Sequence, residues 1–199
     1  MLIASTNEGK IQEITKVLHS IEGLTLNIDS LKDYPTILEP DEPFDSLMDN
    51  AIHKAKYYAA HMNTLTLSED SGLFIEALAG FPGVKTKDLI TECGGRLQAF
   101  SKLKSLLSAH SHYTSYFSTA AALYIPSEAL LITHEAREYG SIVFPPRGDA
   151  GFGFDPIFVP EGYEQSFAEL GVEIKSKISH RAKALDGLMQ KFQAFLKQE

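Results

Sequence analysis

Residues 1–18 read MLIASTNEGKIQEITKVL, and the residue pattern changes twice within them. Met1 to Ser5 is a short apolar run, which predicts a buried strand. Thr6-Asn7-Glu8-Gly9 is turn chemistry. From Lys10 the period changes, with Ile11, Ile14 and Leu18 on one helical face and Val17 beside it. The stretch therefore predicts strand, polar loop, helix. A helix that starts there points free backbone N–H groups and a positive dipole end at the loop, a setting that favours anions and phosphate especially. Lys10 stands in the first turn, where the dipole disfavours a cation, and an arriving anion would offset that cost. An ordinary strand-to-helix turn with a solvated lysine fits the same residues.

Downstream, alternation over Leu24 to Ile28 predicts a second strand. Lys32 to Pro43 is a proline-rich acidic loop. A helix follows with Asp45 or Ser46 as N-cap and Leu47, Ala51, Ala55, Tyr58 and Met62 as its apolar stripe. Asp49 falls in an early turn of it, and Asn50 and Lys54 share another face. Thr64 to Leu67 predicts a short strand ending on Ser68-Glu69-Asp70-Ser71-Gly72. Neighbouring strand residues point opposite ways, so one carboxylate can face a site while the other faces away. Such a group can ligate a hard divalent ion or deprotonate a water. A solvated acidic turn is the plainer reading.

Leu73 to Leu78 reads as another strand, Lys85 to Gly95 as irregular chain, and Arg96 to Ser108 as a helix with Leu97, Phe100, Leu103 and Leu107 on its stripe. Tyr113 to Ile125 and Ala129 to Tyr139 predict a long antiparallel pair. Gly140 and Ser141 then turn the chain into a short strand, Ile142 to Phe144. Gly148 to Pro156 (GDAGFGFDP) puts three glycines around two rings and a carboxylate. A pocket lip could use all of it: glycines for close approach, a ring for stacking, Asp155 for a polar edge. Ile157 to Val159 is a strand, and Ser166 to Leu170 one helical turn. Ser179 caps a last helix, His180 to about Lys197, with Leu185, Leu188, Phe192 and Phe195 on its core stripe. Lys175, His180 and Arg181 crowd one short stretch, two of them against a helix dipole.

The 199 residues suit a single domain of two lobes. A net charge of −8 argues against binding a nucleic-acid backbone. One cysteine, Cys93, excludes an intrachain disulfide and a cysteine metal cluster, in keeping with a reducing cytoplasm. No segment has the length and apolarity of a signal peptide or a membrane span. His110, His112 and His134 lack metal-ligand spacing. Together the pieces suit a nucleotide with Mg²⁺ on its phosphates. Asp49 and Asp70 would take the metal, lysines and helix starts the phosphate oxygens, and a ring the base.

Ser5-Thr6-Asn7-Glu8-Gly9-Lys10, Asp49-Asn50-Ala51 with Lys54, Glu69-Asp70-Ser71-Gly72-Leu73, Gly151 to Pro156 and Ile178-Ser179-His180-Arg181-Ala182 resemble the motifs of the inosine triphosphate pyrophosphatase (Ham1-like) family. They occur in the family's order and span almost the whole chain. The resemblance implies an α/β fold of the Maf/Ham1 kind, a long central mixed β-sheet with helices forming two lobes around a cleft, and a homodimer. It implies hydrolysis of ITP, dITP and XTP to the monophosphate and pyrophosphate with Mg²⁺. Residues 5 to 10 and Lys54 would bind the triphosphate, and Asp70 would be general base and metal ligand, with Asp49 a second ligand. Ser71, Phe152, Gly153, Phe154, Asp155, Lys175, His180 and Arg181 would contact substrate. Three positions depart from the family: Asp49 where it has Glu, Glu69 where it has Asp, and Asp88 where it has Arg. A Maf-like pyrophosphatase of different base preference, or a nucleotide-binding protein that does not hydrolyse, are the competing readings.

Overall fold

A computed structural model describes residues 1–21 and 27–197. Its strands form one mixed seven-stranded sheet in the order β2-β1-β3-β5-β6-β7, with β4 paired to β3. The strands are β1 (Leu2–Ile3), β2 (Asp29–Ser30), β3 (Thr66–Ile75), β4 (Pro82–Gly83), β5 (Thr114–Ile125), β6 (Leu130–Ile142) and β7 (Phe158–Pro160). β1 runs parallel to both β2 and β3, whereas β4 and β7 are antiparallel to their neighbours. The predicted α/β architecture with a mixed central sheet is what the chain forms. Most of the predicted Leu24–Ile28 strand lies outside the described residues, and the strand pairing with β1 is β2.

Two compact units divide the chain, and their boundaries fall inside β3, β5 and β6. The first comprises residues 1–70, 119–136 and 181–199. Its main core joins Ile14, Val17 and Leu18 of α1 (Glu8–His19) to Leu67 and Leu123 of the sheet and to Leu185, Leu188 and Phe192 of α6 (His180–Leu196). The helical period read from Ile14 and Leu18 is thus the buried face. A second cluster sets Tyr58 of α2 (Leu47–Met62) against Leu2, Ala4 and Leu31. α2 starts at Ser46, whose side chain accepts from Asp49 N–H, and stops at Asn63 in the left-handed region.

The second unit comprises residues 71–118 and 137–180. Its core joins Leu73, Phe117, Ile142 and Phe158 of the sheet to Phe100, Leu103 and Leu107 of α4 (Arg96–Leu107) and to Phe167 of α5 (Phe167–Ile178). Ala99 completes the buried face of α4, and Leu97 stays exposed, contrary to the predicted stripe. A capping box of Ser166 and Glu169 starts α5, and Gly171 breaks its helical backbone with a φ of 72°.

Several boundaries differ from expectation; α5 runs for 12 residues where one helical turn is expected. β3 runs unbroken from Thr66 to Ile75, so Glu69 and Asp70 lie inside a strand rather than at its end. Polar Ser68 to Gly72 can stay in a buried strand because the carboxylates have cationic partners. Residues 85–95, expected to be irregular, contain helix α3 (Thr86–Glu92), which needs to bury only Leu89. Gly140 and Ser141 do not turn the chain: β6 passes through them, Gly140 opposite Pro160. A Cβ at Gly140 would collide with the Val159 carbonyl, so glycine there serves close strand approach.

Candidate functional site

In the first unit, the β1–α1 turn forms as the sequence predicts. Asn7 caps α1, its Oδ1 accepting from Lys10 N–H at 3.1 Å, and Ser5 Oγ accepts from Asn7 N–H at 3.2 Å. Glu8 ion-pairs with Lys32 at the surface. Lys10 Nζ reaches Glu69 Oε1 at 2.7 Å. Glu69 also takes Arg181, Nη2 to Oε2, at 3.4 Å. The Arg181 guanidinium is 2% exposed, and its Nη1 donates to buried Glu13 of α1. Lys10 and Arg181 both stand against helix dipoles, and Glu69 serves both. The anion that offsets them is a resident carboxylate. Two of Arg181's nitrogens are committed to protein carboxylates.

Asp70 is the next residue on β3, and its recorded partners differ from those of Glu69. Asn50 Nδ2 donates to Asp70 Oδ2 at 3.3 Å, and Lys54 Nζ lies 3.9 Å from Asp70 Oδ1. Both come from α2, four residues apart, one helical turn. Lys54 also ion-pairs with Glu42, in the acidic loop ahead of α2. Burial pulls the Lys54 ammonium down, but Asp70 and Glu42 outweigh it and hold the group above the ordinary lysine range. Burial pushes the Asp70 carboxyl up to about 6, against the opposing pull of Lys54 and Lys10 and with help from Glu42 and Glu69. A carboxyl poised near neutrality, with cations beside it, can take a proton from water.

Asp49 is exposed in the first turn of α2, where a carboxylate complements the dipole. Among the described residues, no group of three or more His, Cys, Asp or Glu side chains is placed to hold a metal. Mg²⁺ is commonly bound by one or two carboxylates together with substrate phosphates rather than by an all-protein cage. Asp70 would offer it a buried oxygen donor, and Asp49 a solvent-facing one.

In the second unit, the glycine loop is built around Asp155, which is 3% exposed. Its Oδ2 accepts from Phe152 N–H at 2.9 Å and from Lys175 Nζ at 2.7 Å. The Lys175 ammonium lies 4.5 Å from the centroid of the Phe152 ring. Gly151 has a φ of 76°, and a Cβ there would run into Asp155 Oδ2, so this glycine admits the carboxylate. Phe152 is the half-exposed ring, flanked by Gly153. Phe154 is not a contact ring: it is 1% exposed, tilted against Phe100 in the core. His180 is buried and stacks on Phe117 with centroids 4.6 Å apart. Ser71 is half-buried in β3. Asp88, the charge reversal, is exposed in the first turn of α3, where it too complements a dipole.

The structure thus gathers Lys10, Glu69 and Arg181, then Asp70 with Lys54, and separately Phe152, Asp155 and Lys175. Glu13 belongs with Arg181, and Glu42 and Asn50 with Lys54 and Asp70; none of the three was among the predicted site residues. The four-residue spacing of Asn50 and Lys54 was the visible signal for Asn50. Nothing local marks Glu42.

A mixed-sheet α/β protein with a strand–loop–helix turn bearing Lys10 and a buried aspartate raised toward neutrality among cations has the equipment of an enzyme acting on phosphates. The chain belongs to the Ham1 family, whose model matches residues 1–191. It is 35% identical over 192 residues to the dITP/XTP pyrophosphatase of Zymomonas mobilis, covering 95% of this chain and 90% of that one. With the dITP/XTP pyrophosphatase of Aquifex aeolicus the identity is 37% over 198 residues, covering 95% and 94%. A Ham1 protein from Coxiella burnetii superposes with a TM-score of 0.83 at 28% identity, covering 97% of this chain and 98% of that one.

Proposed function

We propose that this protein hydrolyses non-canonical purine nucleoside triphosphates, dITP, XTP and ITP, to the monophosphate and pyrophosphate, clearing them before they enter DNA or RNA. The observation that carries the reading is Asp70: a buried carboxyl raised to about 6, with Lys54 and Lys10 acting on it. Family membership fixes the reaction class in which such a group is used, and it favours this reading over a Maf-like or non-hydrolysing protein.

Asp70 takes a proton from a water as the water oxygen bonds to the α-phosphorus. The bond from that phosphorus to the bridging oxygen breaks, and pyrophosphate leaves with the electron pair. The α1 N-terminus, Lys10 and Lys54 bind the triphosphate oxygens. Mg²⁺, held through Asp70 and Asp49 with the phosphates, supplies charge neutralisation on the transferring group and the leaving oxygens when bound. Phe152 stacks on the base and Asp155 accepts N1–H, which hypoxanthine and xanthine carry and adenine lacks; guanine carries it too, and GTP is excluded because its 2-amino group finds no partner. A site built to bond a polar edge rejects the analogue without it by up to roughly 10⁴-fold or more. The protein works as a cytoplasmic homodimer. Among the described residues, no helix is long and apolar enough to cross a membrane.

The test is pyrophosphate release from dITP, XTP, ITP, GTP, ATP and TTP, with and without Mg²⁺. Release confined to the hypoxanthine and xanthine nucleotides and dependent on Mg²⁺ is expected. Equal turnover of ATP and ITP would overturn the substrate class.

A further inference from the structure

Asn50 is 1% exposed, yet it is fully polar, and its bonds lead in two directions. Its Oδ1 accepts from Phe44 N–H at 3.1 Å while its Nδ2 donates to the Phe44 carbonyl at 3.0 Å. The amide is therefore locked against the backbone of one residue by a complementary pair. Flipping it would set N–H against N–H, so its orientation is fixed by chemistry. The second Nδ2 hydrogen is then aimed at Asp70 Oδ2, 3.3 Å away. The other oxygen, Oδ1, is the one nearer Lys54, at 3.9 Å.

We infer that Asn50 is a positioning residue for the reaction: through its lock on Phe44 it fixes the rotation of the Asp70 carboxylate and decides which oxygen is presented. The inference rests on the reading of Asp70 as the base. A carboxylate on a two-bond side chain rotates freely unless its oxygens are held. Of the groups recorded beside Asp70, Lys54 is a flexible stem that also serves Glu42. Asn50 is the short, rigid partner, on the second turn of a helix. Small errors in the geometry of a reacting group are costly, on the order of 100-fold in rate for 1 Å. Asn50 is buried and its amide is bonded to Phe44 and Asp70, so its effect falls on turnover and not on binding.

The test compares steady-state dITP hydrolysis by the wild type, Asn50→Ala, Asn50→Asp, Asp70→Asn and the double variant Asn50→Ala/Asp70→Asn. Thermal melts show which variants are folded. Asn50→Asp is isosteric and keeps the acceptor for Phe44 N–H, but it removes the donors to Asp70 and to the Phe44 carbonyl and sets a second carboxyl against Asp70. Both Asn50 variants should lower kcat by about 10- to 100-fold, with KM changed less than about threefold. The double variant should be no slower than Asp70→Asn, because there is no longer a base to orient. Should residual turnover of Asp70→Asn be too slow to follow, the split between kcat and KM decides. A raised KM with unchanged kcat, or the same fold-loss from Asn50→Ala in both backgrounds, overturns the inference and leaves Asp70 standing as the base. Near-normal turnover by Asp70→Asn removes the base itself, and the inference with it.

Discussion

Two buried aspartates each have a lysine, and the two pairs are built differently. Asp155 and Lys175 are closed, 2.7 Å apart, with a backbone N–H on the same oxygen and a ring over the ammonium. Asp70 and Lys54 stand 3.9 Å apart, and Lys54 has Glu42 as its closer partner. A closed pair holds its charges in place and gives a loop its shape. An open one leaves the carboxyl short of compensation, so burial raises it to about 6. The same residue types therefore make a tightly bonded loop in one unit and a carboxyl raised toward neutrality in the other.

The comparison is broken most severely at Asp70. Asp70→Asn should keep the fold and lose about 10²- to 10⁴-fold in turnover, the usual worth of a general base, as measured by pyrophosphate release. Next comes the closed pair. Lys175→Met leaves the Asp155 carboxylate buried without its ammonium, which costs about 3–5 kcal/mol. In a chain of this size that lowers the melting temperature by about 6–20 °C, and calorimetry reads it directly.

The open pair has a pH signature of its own. The native state binds the Asp70 proton more tightly than the unfolded chain does, about 6 against an ordinary 3.8. Its stabilising contribution is complete below the ordinary value and is lost as pH rises through about 6. Without divalent ions, wild type should lose about 3 kcal/mol relative to Asp70→Asn across that window. Urea titrations at a series of pH values measure it, and a flat difference would show an open pair that titrates like a closed one. The smallest effect is outside both pairs: Asp88→Ala removes a first-turn carboxylate from α3 and should cost about 0.3–1 kcal/mol with turnover unchanged, by the same titration and assay.

What could be read from the chain followed from local causes. The cap at Ser46, the helix start after Asn7 and the opposed directions of Glu69 and Asp70 need only neighbouring residues. The continuity of β3 was hidden because its polar middle is tolerated through cations remote in sequence, Arg181 lying 112 residues from Glu69. Gly140 reads as a turn until β7 is known to lie against it. Phe152 and Phe154 are equivalent by composition, and only the core around Phe100 distinguishes them. Lys10 and Arg181 look prepared for a ligand's charge. The structure shows that a protein carboxylate already serves them both, a fact no local window contains.

That shared carboxylate also sets a schedule. Glu13, Lys10 and Glu69 belong to the early part of the chain, but Arg181 follows only after the whole of the second unit has been made. On a ribosome, Glu69 can therefore pair early with Lys10, but Arg181, which bonds both Glu69 and Glu13, arrives only with the last stretch of the chain.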